Sequence, residues 1–450
     1  MSDIIIKKGL DIPLKGCAEK QLTVMPRSDI YAVKPPDFHG VTPKLTVRVG
    51  DRVKAGDILF FSKADEKVKF ASPVSGVVQD ITRGERRRIL DIRIKADDED
   101  VYKDFGIRRP EDMTPEEVKQ HLSEAGCLPY FIQRPYDVVA YSGDTPKSIF
   151  VSTFSSAPLA PDPLFAMKGM EEDFQTGVNV LAKLTPGKVH LGVRGENPGF
   201  FATVKNAEIH KVFGKHPAGN VGVQIEKIDP VNAGERVWTV RPQDVALIGR
   251  LFNTGKYIAT RVIAFAGSEV EEPKYLKTIQ GAKIQHLFDK CIIGGAQEVR
   301  IINGDVLTGK TVHKNNFLGF YNTLISVIPE GKYYTFFGWL PFTQNRIFSM
   351  SRTFLSWLAP NKKYVLDTNY NGEERAMVMT GEMEKVFPMD IYPMQLLKAC
   401  LASDIEKMEK LGIYEVAPED FGLIDYVSSS KIEAQTIIRE GLDLMIKEVG

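Results

Sequence analysis

The chain has 450 residues, and its 58 Lys and Arg offset its 58 Asp and Glu to a formal net charge of +0. With no whole-molecule field to hold a phosphate backbone, this balance argues against a dedicated nucleic-acid binder. The length exceeds what one hydrophobic core supports and points to several domains. A hydrophobic content of 43% with 26% charged residues is that of a folded globular protein.

The opening MSDIIIKKGLDIPLKG holds three isoleucines in a row, short of the roughly 7–15 apolar residues of a secretory signal. The uncharged stretches 315–329 and 333–345 are broken by Asn, Pro and Gly and fall short of the roughly 20 apolar residues of a membrane span. Neither export nor a spanning segment is expected. Cys17, Cys127, Cys291 and Cys400 show no Cys-x-x-Cys spacing, so the expectation is reduced, buried thiols in a cytoplasmic protein, with no zinc ribbon or iron–sulfur run.

Residues 1–100 read as β-rich, with strands expected at 42–49, 58–62, 74–79 and 89–95. Val49-Gly-Asp-Arg-Val-Lys-Ala-Gly-Asp-Ile-Leu59 and Ser72-Pro-Val-Ser-Gly-Val-Val78 are turn-punctuated segments whose glycines supply positive φ. They resemble biotinyl/lipoyl-type barrel domains over 45–96, which implies a flattened β-barrel. The acidic run 97–100 is expected to be a solvated connector.

Residues 101–255 alternate strand and helix, as an α/β domain does. Thr114 caps a helix with Pro115 at its first position, and Gly126 stops it. Strands are expected at 137–141, 148–152 and 188–193, with one helix over 165–184. Residues 256–330 hold strands at 257–266, 274–281, 299–302 and 323–328 and a short helix at 284–289, a small β-grasp-like unit. From 331 to 450 come the aromatic runs YYTFFGWLPF and FSMSRTFLSWLAP, then helices at 393–411, ended by Gly412, and at 431–447.

Few residues carry a chemical signal. Lys63 and Lys67 lie near a hairpin tip where a carrier domain would bear its prosthetic group, but their neighbours Ala64, Asp65, Glu66 and Val68 lack the flanking methionines of such a site. The basic cluster at 82–88 reads as a charged hairpin turn. No Gly-x-Gly-x-x-Gly is present; 191–199 has the wrong spacing and a proline where a helix start needs its amide. The seven histidines show no His-Glu-x-x-His pattern of the metallohydrolase kind, so no metal site is expected. Neither a nucleophile elbow nor a P-loop occurs, and no catalytic residue is assigned.

The segment Val212-Phe-Gly-Lys-His216-Pro-Ala-Gly219, with Ile228-Asp-Pro-Val231, Val237-Trp238, 243–252 and the amino-terminal 4–16, is similar to the A-subunit family of bacterial Na⁺-translocating NADH:quinone oxidoreductases. The resemblance runs over nearly the whole chain. It reaches more distantly to the C subunit of the Rnf electron-transport complex and to the NADH-binding flavoprotein subunit of respiratory complex I. It implies a multidomain α+β protein: the barrel, a Rossmann-like α/β domain, an SLBB-like β-grasp domain and a C-terminal helical domain derived from a ferredoxin-like fold.

Within that tail, Phe387-Pro388 stands where the electron-carrying relatives have Cys-Pro, and Ser428 occupies a cysteine position of their Tyr-Val-Cys-Pro-Ser-Lys-Ile. Met167 to Gly177 stands for their glycine-rich flavin loop, with three acids inserted. The resemblance therefore implies that this chain binds no cluster or flavin, while NADH, FAD, FMN and [2Fe–2S] belong to other subunits. It implies a peripheral subunit on the cytoplasmic face of the inner membrane, meeting the membrane only through partners, above all the membrane-embedded B subunit.

Candidates for partner docking, or for ubiquinone or menaquinone, are Tyr333, Tyr334, Trp339, Phe342, Arg346 and His216, since a quinone wants aromatic walls and a donor. By sequence alone the aromatic run reads equally well as an inter-domain core. The competing reading of the whole chain is a stand-alone flavin- or NADH-dependent oxidoreductase, which would be coloured when pure.

Overall fold

The computed structural model describes residues 2–449 except 286, 288–292, 294–297, 313–315, 339, 341–346 and 351–353. Among these, the strands form four sheets of seven, six, four and three members.

The seven-stranded sheet runs in the order Ser2–Ile6, Glu208–Gly214, Val189–Arg194, Ser148–Ser152, Val237–Thr239, Ile132–Arg134, Val138–Val139. Its first five strands are parallel and the last two pairings antiparallel. Strands such as Ser148–Ser152 and Val189–Arg194 are buried nearly throughout, as sheets covered on both faces are.

The helices Glu171–Leu184 and Pro242–Thr254 cross on two glycines. A methyl on Gly249 would stand 2.6 Å from the Gly177 nitrogen, so only glycine admits this backbone-to-backbone approach.

The first two strands depart from the expected grouping with the barrel. Ser2–Ile6 forms the parallel edge of the α/β sheet beside Glu208–Gly214, and Glu19–Val24 pairs in parallel with Lys274–Ile279 of the six-stranded sheet. An isoleucine run short enough to serve as a strand suits any open sheet edge, and nothing local says which.

The barrel follows, with Ile30–Val33, Ile89–Ala96, Gly76–Arg83 and Arg52–Val53 in one sheet and Pro43–Leu45, Ile58–Ser62 and Lys69–Ala71 in the other. The basic cluster sits on the hairpin between Gly76–Arg83 and Ile89–Ala96. Of the acidic run 97–100, Asp98 and Glu99 are exposed as expected, but the two end residues are paired. Asp100 takes Arg27 by both oxygens (3.0 and 2.6 Å) and the Ser75 amide at 2.9 Å, and Asp97 takes Arg52 at 2.9 Å.

Local signals set several boundaries. Thr114 and Glu117 form a reciprocal capping box on the helix Pro115–Glu124. The helix expected over 165–184 is two, Pro163–Ala166 and Glu171–Leu184, parted where Gly169 takes φ +80°. The helix expected over 393–411 is also two, Pro393–Leu401 and Ile405–Lys410, because Asp404 caps the second through the Lys407 amide. Of the cysteines, Cys127 and Cys400 are buried thiols, Cys17 is exposed, contrary to expectation, and Cys291 lies outside the described residues.

Candidate functional site

In a parallel α/β sheet, ligands gather at the carboxyl ends of the strands where the strand order reverses. Here the chain steps outward from Ser148–Ser152 through Val189–Arg194 to Glu208–Gly214, then returns to the other side as Val237–Thr239. The crevice beyond Ser152 receives the turn that carries His216.

That turn is built on contacts from several segments. The His216–Pro217 peptide is cis. The His216 amide donates to Asp11 Oδ1 at 2.9 Å, and its carbonyl accepts the Leu10 amide at 2.8 Å. Ser156 Oγ accepts the Gly219 amide at 2.8 Å and lies 3.1 Å from His216 Nδ1. The hydroxyl thus ties the histidine ring to the Gly219 amide, while Nε2 has no hydrogen-bond partner among the described residues.

Burial lowers the His216 pKa, against the pull of Asp305 and Asp11, so the ring is held neutral. Behind it, buried Gln224 donates to Ser152 Oγ at 2.9 Å and to the Ala218 carbonyl at 3.1 Å. The crevice is closed by protein amides. His216 is only 2% exposed, whereas the described aromatic candidates Tyr333 and Tyr334 are on the surface.

The next residue outward, Asn220, donates to the Glu419 carbonyl at 3.1 Å and so couples the turn to the carboxyl-terminal helices. The joint centres on Arg134, which is buried and donates to Glu419 at 2.7 Å, with Asp137 at 3.7 Å and Asp420 at 3.8 Å. Burial raises the Asp420 pKa to about 7 despite Arg134. No spacing rule exposes this cluster, because Arg134 and Glu419 lie 285 residues apart in the chain.

Tyr333 and Tyr334 are on the surface. The Tyr333 hydroxyl donates to Asp367, and its carbonyl accepts the Asn369 side-chain amide at 2.6 Å. The Tyr334 and Phe336 side chains are 102% and 85% exposed, so in its described part this run is an outward-facing patch and not an inter-domain core. Trp339, Phe342 and Arg346 lie outside the described residues.

The segment 167–177 holds the Gly169 break and the start of the helix Glu171–Leu184, with Glu171, Glu172 and Asp173 in its first turn, where acids suit the helix dipole. Asp173 accepts Arg250 Nε at 2.7 Å and Asn253 at 2.9 Å. Lys63 and Lys67 flank a tethered tip: Asp65 takes the Ser142 amide at 2.6 Å, and Ser123 donates to the Lys67 carbonyl at 2.6 Å. A swinging arm needs a free tip.

In the tail, Phe387 is buried with its ring 5.0 Å from that of Phe421. Ser428 is buried, and its hydroxyl has no partner among the described residues.

Histidines that no spacing motif links meet across two parallel strands. His190 and Glu208 are register partners, and His210 follows two residues on, so the three share one face. His190 Nδ1 lies 3.0 Å from His210 Nε2.

Comparison with known proteins decides the family. Residues 4–97 match the NqrA N-terminal barrel-sandwich hybrid domain, 113–257 the NqrA second alpha/beta domain and 262–314 the NQRA C-terminal domain. The Na(+)-translocating NADH-quinone reductase A subunit of Hahella chejuensis is 38% identical over 99% of this chain and 100% of its own length. Those of Haemophilus influenzae and Neisseria meningitidis are each 36% identical at the same coverage.

The chain belongs to the A-subunit family of the Na⁺-translocating NADH-quinone reductases. The barrel-sandwich and α/β units described above are this family's domains. Among solved structures, an NAD⁺-reducing [NiFe]-hydrogenase in the air-oxidized state overlaps at a TM-score of 0.38 and 10% identity, over 75% of this chain and 62% of that one, too distant to bear on fold or function.

Proposed function

We propose that this chain is the peripheral A subunit of a Na⁺-translocating NADH-quinone reductase, seated on the cytoplasmic face of the membrane subunits, the B subunit foremost, and carrying no redox group of its own. The observation that carries the docking is the outward-facing aromatic run: no helix of the described residues is long and apolar enough to cross a membrane, yet Tyr334 and Phe336 stand bare. Burying such a ring yields about 1.5–3 kcal/mol, and a partner surface is where an apolar patch of this kind finds cover.

The test is the quadruple variant Tyr334→Ala, Phe336→Ala, Trp339→Ala, Phe342→Ala in the assembled complex. The expected result is release of a folded chain from washed membranes. Full retention of a folded variant overturns the reading.

The α/β strand order supports a Rossmann-like domain whose crevice the His216 turn has taken over. The phenylalanine and serine at 387 and 428 support a ferredoxin-derived tail without a cluster. An absorption spectrum of the pure chain tests this directly, and stoichiometric flavin or iron overturns it. Quinone contact at the same aromatic face is tested by titrating a soluble quinone against tryptophan fluorescence; absence of saturable quenching removes direct binding. The stand-alone reading finds no support, since relatives matched end to end are subunits by name.

A further inference from the structure

A cleft of about 600 Å³ opens at the amino-terminal edge of the seven-stranded sheet, opposite the His216 turn, with His190, Glu208, His210, Asp229, Asp3 and Lys188 on its walls. One His190 nitrogen, one His210 nitrogen and one Glu208 oxygen lie within 4.8 Å of one another. We propose that His190, His210 and Glu208 form a binding site for one divalent transition-metal ion, with zinc the best match to the two-imidazole, one-carboxylate donor set.

The geometry supports this on three counts. With metal–nitrogen bonds of about 2.0–2.1 Å, the 3.0 Å separation of the two ring nitrogens subtends about 94° at the ion, and a tetrahedral angle needs it to open by only about 0.3 Å. The rings are held in place: His190 stacks on Phe150 at 4.7 Å, and both histidines are buried. Glu208 is half-buried, its side chain 40% exposed, and the open side of the cleft leaves a coordination position for water.

Electrostatics agree with the geometry. The helix Val221–Ile228 ends at this cleft with Asp229 as its cap, so the negative end of its dipole faces the ion. The opposing charges are Lys147 and Lys227 on the cleft wall and Lys188, whose ammonium sits 2.6 Å from Glu208. Both side chains of that last pair reach solvent, so it is readily surrendered to a doubly charged ion. Lys147 holds Asp229 at 2.9 Å, which leaves the two histidines and Glu208 as the ligands.

The test uses the untagged full chain, stripped with a chelator and titrated with Zn²⁺ by calorimetry, with thermal unfolding in parallel. One equivalent is expected to bind with a Kd of about 10 µM or tighter and to raise the melting temperature, while Mg²⁺ does neither. Glu208→Gln, a surface change, should weaken binding by roughly tenfold or more, and His210→Asn by more again. Lys188→Met removes the competitor and should tighten it. Cu²⁺ bound to the folded chain should show two nitrogen couplings in its EPR spectrum.

Absence of saturable Zn²⁺ binding overturns the proposal. So does binding that is unchanged in both Glu208→Gln and Lys188→Met, which would place the ion elsewhere, for instance at exposed Cys17. If His210→Asn fails to fold, the two surface variants and the EPR couplings decide.

Discussion

Gly249→Ala tests whether the glycine crossing sets the spacing of the two long helices. The added methyl would sit 2.6 Å from the Gly177 nitrogen and 2.8 Å from the Asp173 carbonyl carbon, against roughly 3.4 Å or more for ordinary contact, and both obstacles are backbone. The helices must part, which strains the Asp173 contacts with Arg250 and Asn253. Overpacking of this kind costs about 3 kcal/mol, and the better helix propensity of alanine returns about 1 kcal/mol.

The net loss of about 2 kcal/mol corresponds to a fall in melting temperature of about 4–8 °C for a domain of this size. Gly143→Ala is the control, since its methyl meets nothing within 4 Å, and it should stay within about 2 °C of the parent. The measurement is near-UV circular dichroism against temperature. Equal melting of the two variants refutes the reasoning.

Arg134→Ala strands Glu419, Asp420 and Asp137 at the joint to the carboxyl-terminal helices, a loss of about 3–5 kcal/mol; limited proteolysis should then cut that joint early, and an unchanged digest would contradict it. Because the Asp420 pKa is raised to about 7, the folded state holds its proton more tightly than the unfolded chain does. Its contribution to stability is present at low pH and is lost as pH rises from about 4 through 7. Asp420→Asn should remove that component of the slope, read from melting temperatures across the window. His121 is the opposite case: burial lowers its pKa to about 4, so its contribution is present above about 6.5 and lost as pH falls towards 4. His121→Phe should flatten this acid limb in urea titrations at pH 5 and 7, and an unaltered limb would place the acid sensitivity elsewhere.

What the sequence disclosed was mostly local. The strands at 58–62 and 148–152 emerge with the expected limits, and Thr114-Pro115 starts its helix as expected, because each is set by neighbouring residues. Breaks inside helices at Gly169 and Asp404 were hidden by continuous apolar periodicity on either side. Pairings at long range were hidden altogether. Nothing in an isoleucine triplet names its neighbour strand, and His190 with His210 becomes legible only once the register of two parallel strands is known. The acidic run 97–100 misled for the same reason, since its partner Arg27 lies 73 residues away. The aromatic candidates were found by composition, which reports that rings are concentrated but not which way they face.

The threading of the first strands sets an order of assembly. The first two strands are made well before their partners: Ile4 must wait for Val212 and Leu22 for Tyr275, while Asp11 meets His216 across 205 residues. The barrel that lies between can close on its own contacts long before that. A nascent chain therefore carries two unpaired strands beside a finished module, a target for chaperones, until both later sheets arrive and draw them in. A bulky fusion placed ahead of residue 2 would burden this last docking step while leaving the barrel untouched.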